Sequence, residues 1–86
     1  MKRWREAGGV HLDLRGLVPP EPMIEILREI DGGADGPMIL HMDREPIYLY
    51  QELEDRGWSG RMLHRDDEAK TGDTAVIMEL RPDAAP

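Results

Sequence analysis

Apolar and polar residues alternate in the segment that follows the charged N-terminus. Val10, Leu12 and Leu14 are separated by His11 and Asp13, a pattern that predicts a short strand with one buried face. Residues 37–42 contain a continuous apolar run, which predicts a second strand with both faces covered. Residues 58–64 and 74–80 also read as strands, so we predict four strands in all.

Helical spacing of apolar residues separates the first two strands. Prolines cluster just before this stretch, where a first helical turn tolerates them, so a helix is predicted to begin near Glu21. Asp31-Gly32-Gly33 predicts its end. Its apolar stripe consists of Met23, Ile24, Ile26, Leu27 and Ile30. A second helix is predicted to open after Asp43-Arg44-Glu45-Pro46 and to end at Gly57, with Ile47, Leu49, Tyr50 and Leu53 on its apolar face.

The predicted order of elements is β-α-β-α-β-β. Because a strand–helix–strand crossover is right-handed and makes its two strands parallel, both helices should cover one face of the sheet. We therefore predict an α+β fold: a two-layer α/β sandwich, with a four-stranded mixed sheet, two helices on one face and the other face open. The domain is expected to span residues 10–81, with flexible segments at 1–9 and 82–86. Thr71-Gly72-Asp73 is expected to form a hairpin turn.

Charge and composition exclude several classes of function. The 86 residues contain 11 basic and 18 acidic side chains, a formal net charge of −7, which argues against nucleic acid or an anionic membrane as partner. No apolar run approaches the roughly 20 residues that a membrane span needs. The charged N-terminus lacks the apolar region of a signal peptide, so a cytoplasmic location is expected.

Few side chains in the sequence could act as nucleophiles. Cysteine is absent, which excludes disulfides and thiolate metal sites, and Ser59 is the only serine. Ser59 lies between Trp58 and Gly60, which is a turn-to-strand context and differs from a nucleophile elbow. Enzymatic activity is therefore disfavoured, and no cofactor is expected. The sequence is rich in methionine and has no phenylalanine. This favours methionines that fill the core over methionines that bind copper.

Charged residues follow the first two predicted strands, at the sheet edge where ligands bind in open α/β folds. Arg15 and Arg44 could hold a small anion there, or they could pair with Asp13, Asp43 and Glu45 and brace two loops. The local excess of carboxylates favours the brace. The complete candidate set for a ligand or partner at this edge is Asp13, Arg15, Pro20, Glu21, Pro22, His41, Asp43, Arg44, Glu45 and Tyr48.

Two histidines suggest a metal site. His11 and His41 could lie on neighbouring strands, each two residues from an aspartate on the same face. Two imidazoles with carboxylates suit zinc, nickel or non-haem iron. Histidines on exposed strands are more often solvated side chains, so no bound metal is expected. Tyr48 is out of phase with the apolar stripe and is expected to be exposed, where it could belong to a protein interface or lie against the rim of the core.

The segment Leu12–Pro22 resembles the TusA/SirA-like family of sulfur carriers. That family is a small β-α-β-α-β-β domain whose first strand-to-helix loop reads D-x-R-G-L-x-C-P-x-P. Asp13, Arg15 and Gly16-Leu17 match this motif, as do Pro20 and Pro22. The cysteine that carries the persulfide falls on Pro19, so the resemblance does not imply sulfur transfer here.

A closer resemblance is to a cysteine-less, uncharacterised bacterial branch of the same superfamily. Its D-x-R-G-L-x-P-P-E-P segment is followed by H-x-D-R-E-P, then by L-Y, and then by E-x-R-G with an aromatic residue. Residues 41–46, 49–50 and 54–58 are similar to these motifs. The resemblance covers roughly residues 10–80 and implies the fold, while it assigns no activity.

The sequence favours a non-enzymatic binding or adaptor domain, because the family cysteine and most nucleophiles are missing. The resemblance implies a role in bacterial redox, sulfur or metal metabolism. The partner is expected to be another protein, and the chain a monomer or a weak dimer. The alternative is a small-anion or metal-handling domain that uses the cluster of aspartate, arginine and histidine at the strand ends. An acid–base enzyme is the least favoured interpretation.

Overall fold

The computed structural model describes residues 2–6, 9–66 and 75–83. The hairpin turn expected at residues 71–73 and the end of the expected tail, residues 84–86, lie outside the described residues. The elements in chain order are β1 (Lys2–Glu6), β2 (Gly9–Asp13), α1 (Glu21–Asp31), β3 (Met38–Met42), α2 (Leu49–Asp55), β4 (Trp58–Asp66) and β5 (Ala75–Pro82).

The strands form one mixed sheet in the order β1-β2-β3-β5-β4. β2 and β3 are parallel and are joined through α1, as the β-α-β pattern predicts. The other neighbouring pairs are antiparallel. The predicted α+β class, with two helices and a mixed sheet, is confirmed.

The predicted number of strands is wrong, because the described residues form a sheet of five strands and not four. The additional strand is β1, which pairs antiparallel with β2 and places Trp4 opposite His11. Sequence analysis had assigned residues 1–9 to a flexible segment outside the domain. The sequence of β1 is Lys-Arg-Trp-Arg-Glu, and its burial pattern shows no alternating apolar face. An edge strand can form in this way because its backbone pairs with a neighbour while its side chains remain largely in water.

The hydrophobic core lies on one face of the sheet. Leu12 of β2, Leu40 of β3 and Met78 of β5 lie at matching register positions, and all three are fully or almost fully buried. Both helices contribute to the same core, α1 through Ile26 and Ile30 and α2 through Leu49 and Leu53. Neither helix in the described part of the chain is long and apolar enough to cross a membrane.

Two apolar residues that were predicted for helix stripes are exposed. Ile47 is 73% exposed because α2 begins at Leu49, so Ile47 precedes the helix and does not turn toward the core. Ile24 is 45% exposed on α1. The methionines behave as predicted, since Met38, Met42 and Met78 are buried in the core.

Candidate functional site at the ends of the parallel strands

The loops that follow β2 and β3 are joined by hydrogen bonds. The backbone N–H of Gly16 donates to Oδ2 of Asp43 at 2.7 Å. The backbone N–H of Leu14 donates to the carbonyl oxygen of His41 at 2.8 Å. Parallel strands end at the same edge of a sheet, so this junction lies where open α/β folds bind ligands.

Asp13 and Arg15 form a closed ion pair at this edge. Nε and one terminal nitrogen of Arg15 each donate to the carboxylate at 2.9 Å, and the backbone N–H of Arg15 donates at 3.2 Å. The hydrogen bonds from Arg15 lower the pKa of Asp13 to about 2. The N–H donors of Arg15 are thus directed at Asp13. This arrangement indicates that Arg15 stabilises the loop rather than binds a free anion.

Glu45 is likewise engaged by neighbouring side chains. The Tyr50 hydroxyl donates to Oε2 of Glu45 at 2.8 Å, and Arg65 approaches Oε1 at 3.4 Å. Burial together with the bond to Glu45 raises the pKa of Tyr50 to about 12. Tyr50 therefore remains a neutral donor at physiological pH, and Glu45 is its acceptor.

A cavity of about 250 Å³ opens between the two loops on the helix side of the sheet. Its walls are mainly apolar and include Leu14, Leu17, Val18, Pro19, Pro22, Met42 and Tyr48, together with Asp43 and Arg44. Arg44 is exposed and forms no ion pair with any residue in the described ranges. We call this cavity and its rim the loop pocket.

Large apolar side chains remain exposed around the loop pocket. Val18 is 65% exposed and Tyr48 is 45% exposed, and Ile47 lies next to Tyr48 in the same loop. The expected exposure of Tyr48 is confirmed. Scattered apolar residues are ordinary on a protein surface, whereas several of them beside a cavity are typical of a binding site.

The open face of the sheet carries a second cluster, formed by Trp4, His11 and His41. Nδ1 of His11 and Nε2 of His41 are 3.0 Å apart, so one ring donates a hydrogen bond to the other. The Trp4 ring stacks on both imidazoles, with centroids 5.1 Å from His11 and 5.3 Å from His41. The two histidines are thus neighbours, as their positions on adjacent strands predicted.

Contacts with neighbouring side chains hold the two histidines in place. Burial, with the nearby His11 as a smaller cause, lowers the pKa of His41 below its ordinary value. Oε2 of Glu6 lies 3.7 Å from Nε2 of His11, the nitrogen that faces away from His41. Within residues 2–6, 9–66 and 75–83 no group of three or more metal-binding side chains is close enough to hold an ion.

The lowered pKa of His41 predicts a pH dependence of stability. Because the unfolded chain binds this proton more tightly than the folded chain, the free energy of unfolding should fall as the pH drops below about 6.5. The loss should level off once the pH is below the pKa of folded His41. Urea denaturation between pH 8 and pH 5 measures this effect, with His41→Gln as the comparison. A slope between pH 7 and pH 5 that is the same in both proteins would show that His41 is not responsible.

The structure divides the predicted site residues between two faces. Asp13, His11 and His41 lie on the open face, because they alternate with the core-facing Leu12 and Leu40. Pro22, Asp43, Arg44 and Tyr48 line the loop pocket on the helix side. Pro20 and Glu21 are exposed at the start of α1 and do not line it.

Sequence analysis missed Trp4, which stacks on both histidines. The only signal was its position as the single aromatic residue in a charged segment, and that pattern does not predict a strand. Arg61 and Arg81 were also missed, and both donate to Oε1 of the largely buried Glu79. Their alternation with core residues in β4 and β5 places all three on the open face.

Comparisons with known proteins give a family and no activity. Neither the curated proteins nor the solved structures include a match to this chain. A family model described as an uncharacterized conserved protein, DUF2249, matches residues 11–71. That range holds both loops of the loop pocket and most of the core. Since the match covers more than half of the sequence, the chain belongs to the DUF2249 family.

Proposed function

We propose that the chain is a non-enzymatic binding domain that docks another protein at the loop pocket. The observation that carries this proposal is the exposure of Val18 and Tyr48, which line an apolar cavity, and of Ile47, which precedes Tyr48 in the same loop. Burying such side chains against a partner removes apolar area from water, which is the main driving force of association. Aromatic residues such as Tyr48 are enriched at the centres of interfaces.

The polar groups near the pocket support binding over catalysis. Asp13 is paired with Arg15, Asp43 accepts the Gly16 N–H, and Glu45 accepts the Tyr50 hydroxyl. A general base needs a carboxylate or imidazole that can reach a substrate proton with a suitable pKa. The carboxylate of Asp13 is held at a pKa of about 2, far too low for that role near neutral pH.

The chemistry of the loop pocket defines the kind of partner. Its apolar walls and its volume of about 250 Å³ suit one inserted aliphatic or aromatic side chain. Arg44 at the rim is exposed and forms no ion pair with the described residues, so it can receive a carboxylate. The partner we propose is therefore a protein segment with an apolar anchor and an acidic residue nearby.

The resemblance to the TusA/SirA-like family supports the same position. Pro19 stands where the sulfur carriers have their cysteine, and Pro19 lines the loop pocket. A proline there supplies apolar surface and no thiol. We therefore propose a TusA-like domain with both helices over one face of the sheet. It would keep a surface that recognises a partner, but it would not carry sulfur. We place its role in bacterial redox, sulfur or metal metabolism in the cytoplasm.

A peptide library displayed on phage tests the proposal. We expect selection on the full chain to enrich peptides with a large apolar residue at a fixed spacing from aspartate or glutamate. Val18→Ser and Ile47→Ser should each weaken the selected peptide by about tenfold, because each removes apolar contact area. Leu63→Ser is the matched control, since Leu63 is an exposed leucine on β4 that does not line the pocket.

The melting temperatures of these variants should stay close to that of the wild type, because the replaced side chains are exposed. Equal affinity of the wild type and both pocket variants would place the binding surface elsewhere. Failure to enrich any motif that depends on Val18 or Ile47 would overturn the docking role of the loop pocket.

The alternative is a metal-handling domain, and one observation favours it. Nδ1 of His11 and Nε2 of His41 are 3.0 Å apart, close enough for both to reach one ion. The docking proposal expects a coloured zinc chelator at micromolar concentration to keep its zinc when the protein is added. Transfer of one equivalent to the wild type, lost in His41→Ala, would establish the alternative instead.

A further inference from the structure

A second cleft lies at the opposite end of the parallel strands from the loop pocket. It opens where β2 and β3 begin, between β1, the last turn of α1 and the loop over residues 32–37. Its volume is about 300 Å³, at the lower end of the range for small-molecule sites. Three arginines line it, Arg3, Arg5 and Arg28, and we call it the arginine cleft.

The arginines reach the cleft from two elements. Arg3 and Arg5 lie opposite Leu12 and Val10, so both are on the helix-facing side of β1. Arg28 comes from the last turn of α1. These positions put guanidinium groups on two walls, which is the arrangement that clamps an anion between them.

Not all of this positive charge is used within the chain. Arg3 is tightly paired with Glu29, whose Oε1 is 2.7 Å from a terminal nitrogen of Arg3. Arg28 makes one contact of 3.2 Å to Glu25 and stays 70% exposed. Arg5 forms no ion pair with any residue of the described ranges. Arg5 and the donors of Arg28 that do not contact Glu25 are therefore available to a ligand.

The lining of the cleft is richer in positive charge than the chain as a whole. Its three arginines face two lining carboxylates, Glu29 and Asp35, and Arg28 also contacts Glu25 outside the lining, while the chain carries a formal charge of −7. An excess of positive charge in a concave site raises the local concentration of anions. The same excess on a flat surface would be more strongly screened by solvent.

The loop of the cleft adds backbone donors and leaves room for a ligand. The N–H groups of Asp35 and Gly36 donate to no residue within the described chain, and both residues line the cleft. Successive free N–H groups of this kind can contribute to anion binding. A Cβ at Gly36 would meet no atom within 4 Å, so the space beside it is open.

The C-terminus of α1 also borders the cleft, and its carbonyl groups would repel an anion if they were free. They are capped instead. The N–H of Gly32 donates to the Arg28 carbonyl at 2.9 Å, and the N–H of Gly33 donates to the Ile30 carbonyl at 3.1 Å. The N–H of Ala34 donates to the Glu29 carbonyl at 3.3 Å. This capping reduces the negative potential at the helix end.

We propose that the arginine cleft binds the oxyanion group, phosphate or carboxylate, of a small molecule. Arg5 and Arg28 form the main contacts, and the N–H groups of Asp35 and Gly36 contribute further donors. This site is separate from the loop pocket, so it gives the domain a small-molecule ligand in addition to a protein partner.

Titration of the full chain with inorganic phosphate, and separately with succinate, tests this proposal. The readout is the amide signals in ¹H–¹⁵N NMR spectra at low ionic strength. We expect saturable shifts of Asp35 and Gly36 with at least one anion. Saturation by phosphate alone identifies a phosphate site, and saturation by succinate alone identifies a carboxylate site.

Two double variants separate the cleft from general surface charge. Arg5→Gln/Arg28→Gln should weaken binding about tenfold, the loss expected for charge-assisted hydrogen bonds. Lys2→Gln/Arg61→Gln removes the same charge from exposed residues that do not line the cleft, and Glu79 keeps Arg81 as a donor when Arg61 is replaced. This control should bind the anion as the wild type does. Equal weakening in both double variants would mean only unspecific screening and would overturn the proposal.

Gly36→Ala provides a test that leaves all charges in place. The added methyl group meets no protein atom within 4 Å, so the melting temperature should be unchanged while anion binding is weakened. Gly36→Ala also tests whether the cleft binds the anion if Arg5→Gln/Arg28→Gln does not fold. Absence of saturable shifts with both anions in the wild type would rule out the site.

Discussion

Replacement of Gly9 by alanine is expected to lower the free energy of unfolding by at least about 2 kcal/mol. Gly9 has a φ of +133°, a conformation that L residues with a side chain rarely adopt. A Cβ built there would clash with the carbonyl oxygen of Pro37. The backbone cannot move away freely, because the N–H of Val10 donates to that same oxygen at 3.1 Å.

Urea denaturation followed by circular dichroism measures the effect of Gly9→Ala. Gly36→Ala is the matched control, since it makes the same change where a Cβ would meet nothing within 4 Å. The control should be as stable as the wild type. Stability of Gly9→Ala within about 0.5 kcal/mol of the wild type would contradict the close approach of Gly9 to Pro37, since surface substitutions typically stay within that range.

Leu40→Ala should be at least as damaging, with an expected loss of about 3 kcal/mol. Leu40 is fully buried in β3, the central strand of the sheet. It lies between Leu12 of β2 and Met78 of β5 in the register of the sheet. Truncation removes buried methyl groups and leaves a cavity that these neighbours cannot fill completely.

The same denaturation experiment measures Leu40→Ala, with Leu63→Ala as its control. Leu63 is 45% exposed at the irregular step in β4, so its truncation should cost under about 1 kcal/mol. Similar losses for the two leucines would contradict the assignment of the core to the helix-facing side of the sheet.

Sequence analysis predicted α1 and the β2–β3 pair well for local physical reasons. Pro19 and Pro20 precede Glu21 and two glycines follow Asp31, so the ends of α1 are marked in the sequence itself. The apolar residues of β2 alternate strictly, and those of β3 are continuous, as expected for strands at the centre of a sheet.

β1 could not be predicted in this way, because its stability does not come from an apolar pattern of its own. It contributes backbone pairing to β2, the Arg3–Glu29 ion pair and the stacking of Trp4 on His11. The ion pair joins residues that are 26 positions apart, and neither the backbone pairing nor the stacking leaves an apolar pattern within residues 2–6. The arginine cleft escaped prediction for the same reason, since β1 forms one of its walls.

The sequence predicted the sheet edge at which the candidate site residues lie, but it did not predict that they are divided between the two faces of the sheet. The ends of parallel strands brought Asp13, Asp43 and Arg44 to one edge of the sheet. The two-residue period of a strand then separates Asp13 and His41 from Leu14 and Met42, which line the loop pocket on the other face. The alternation of core-facing and outward-facing residues was present in the sequence. Extending it past the ends of β2 and β3 would have assigned these residues to their two faces.

The measurement that tests the central claim most directly maps the highest-affinity selected peptide onto the ¹⁵N-labelled chain by NMR. The docking account predicts that amide shifts concentrate in residues 14–20 and 43–48, which form the loop pocket. The histidine cluster and β4 should show little change. Shifts centred on Trp4, His11 and His41, or spread evenly over the sheet, would contradict the loop pocket as the functional surface.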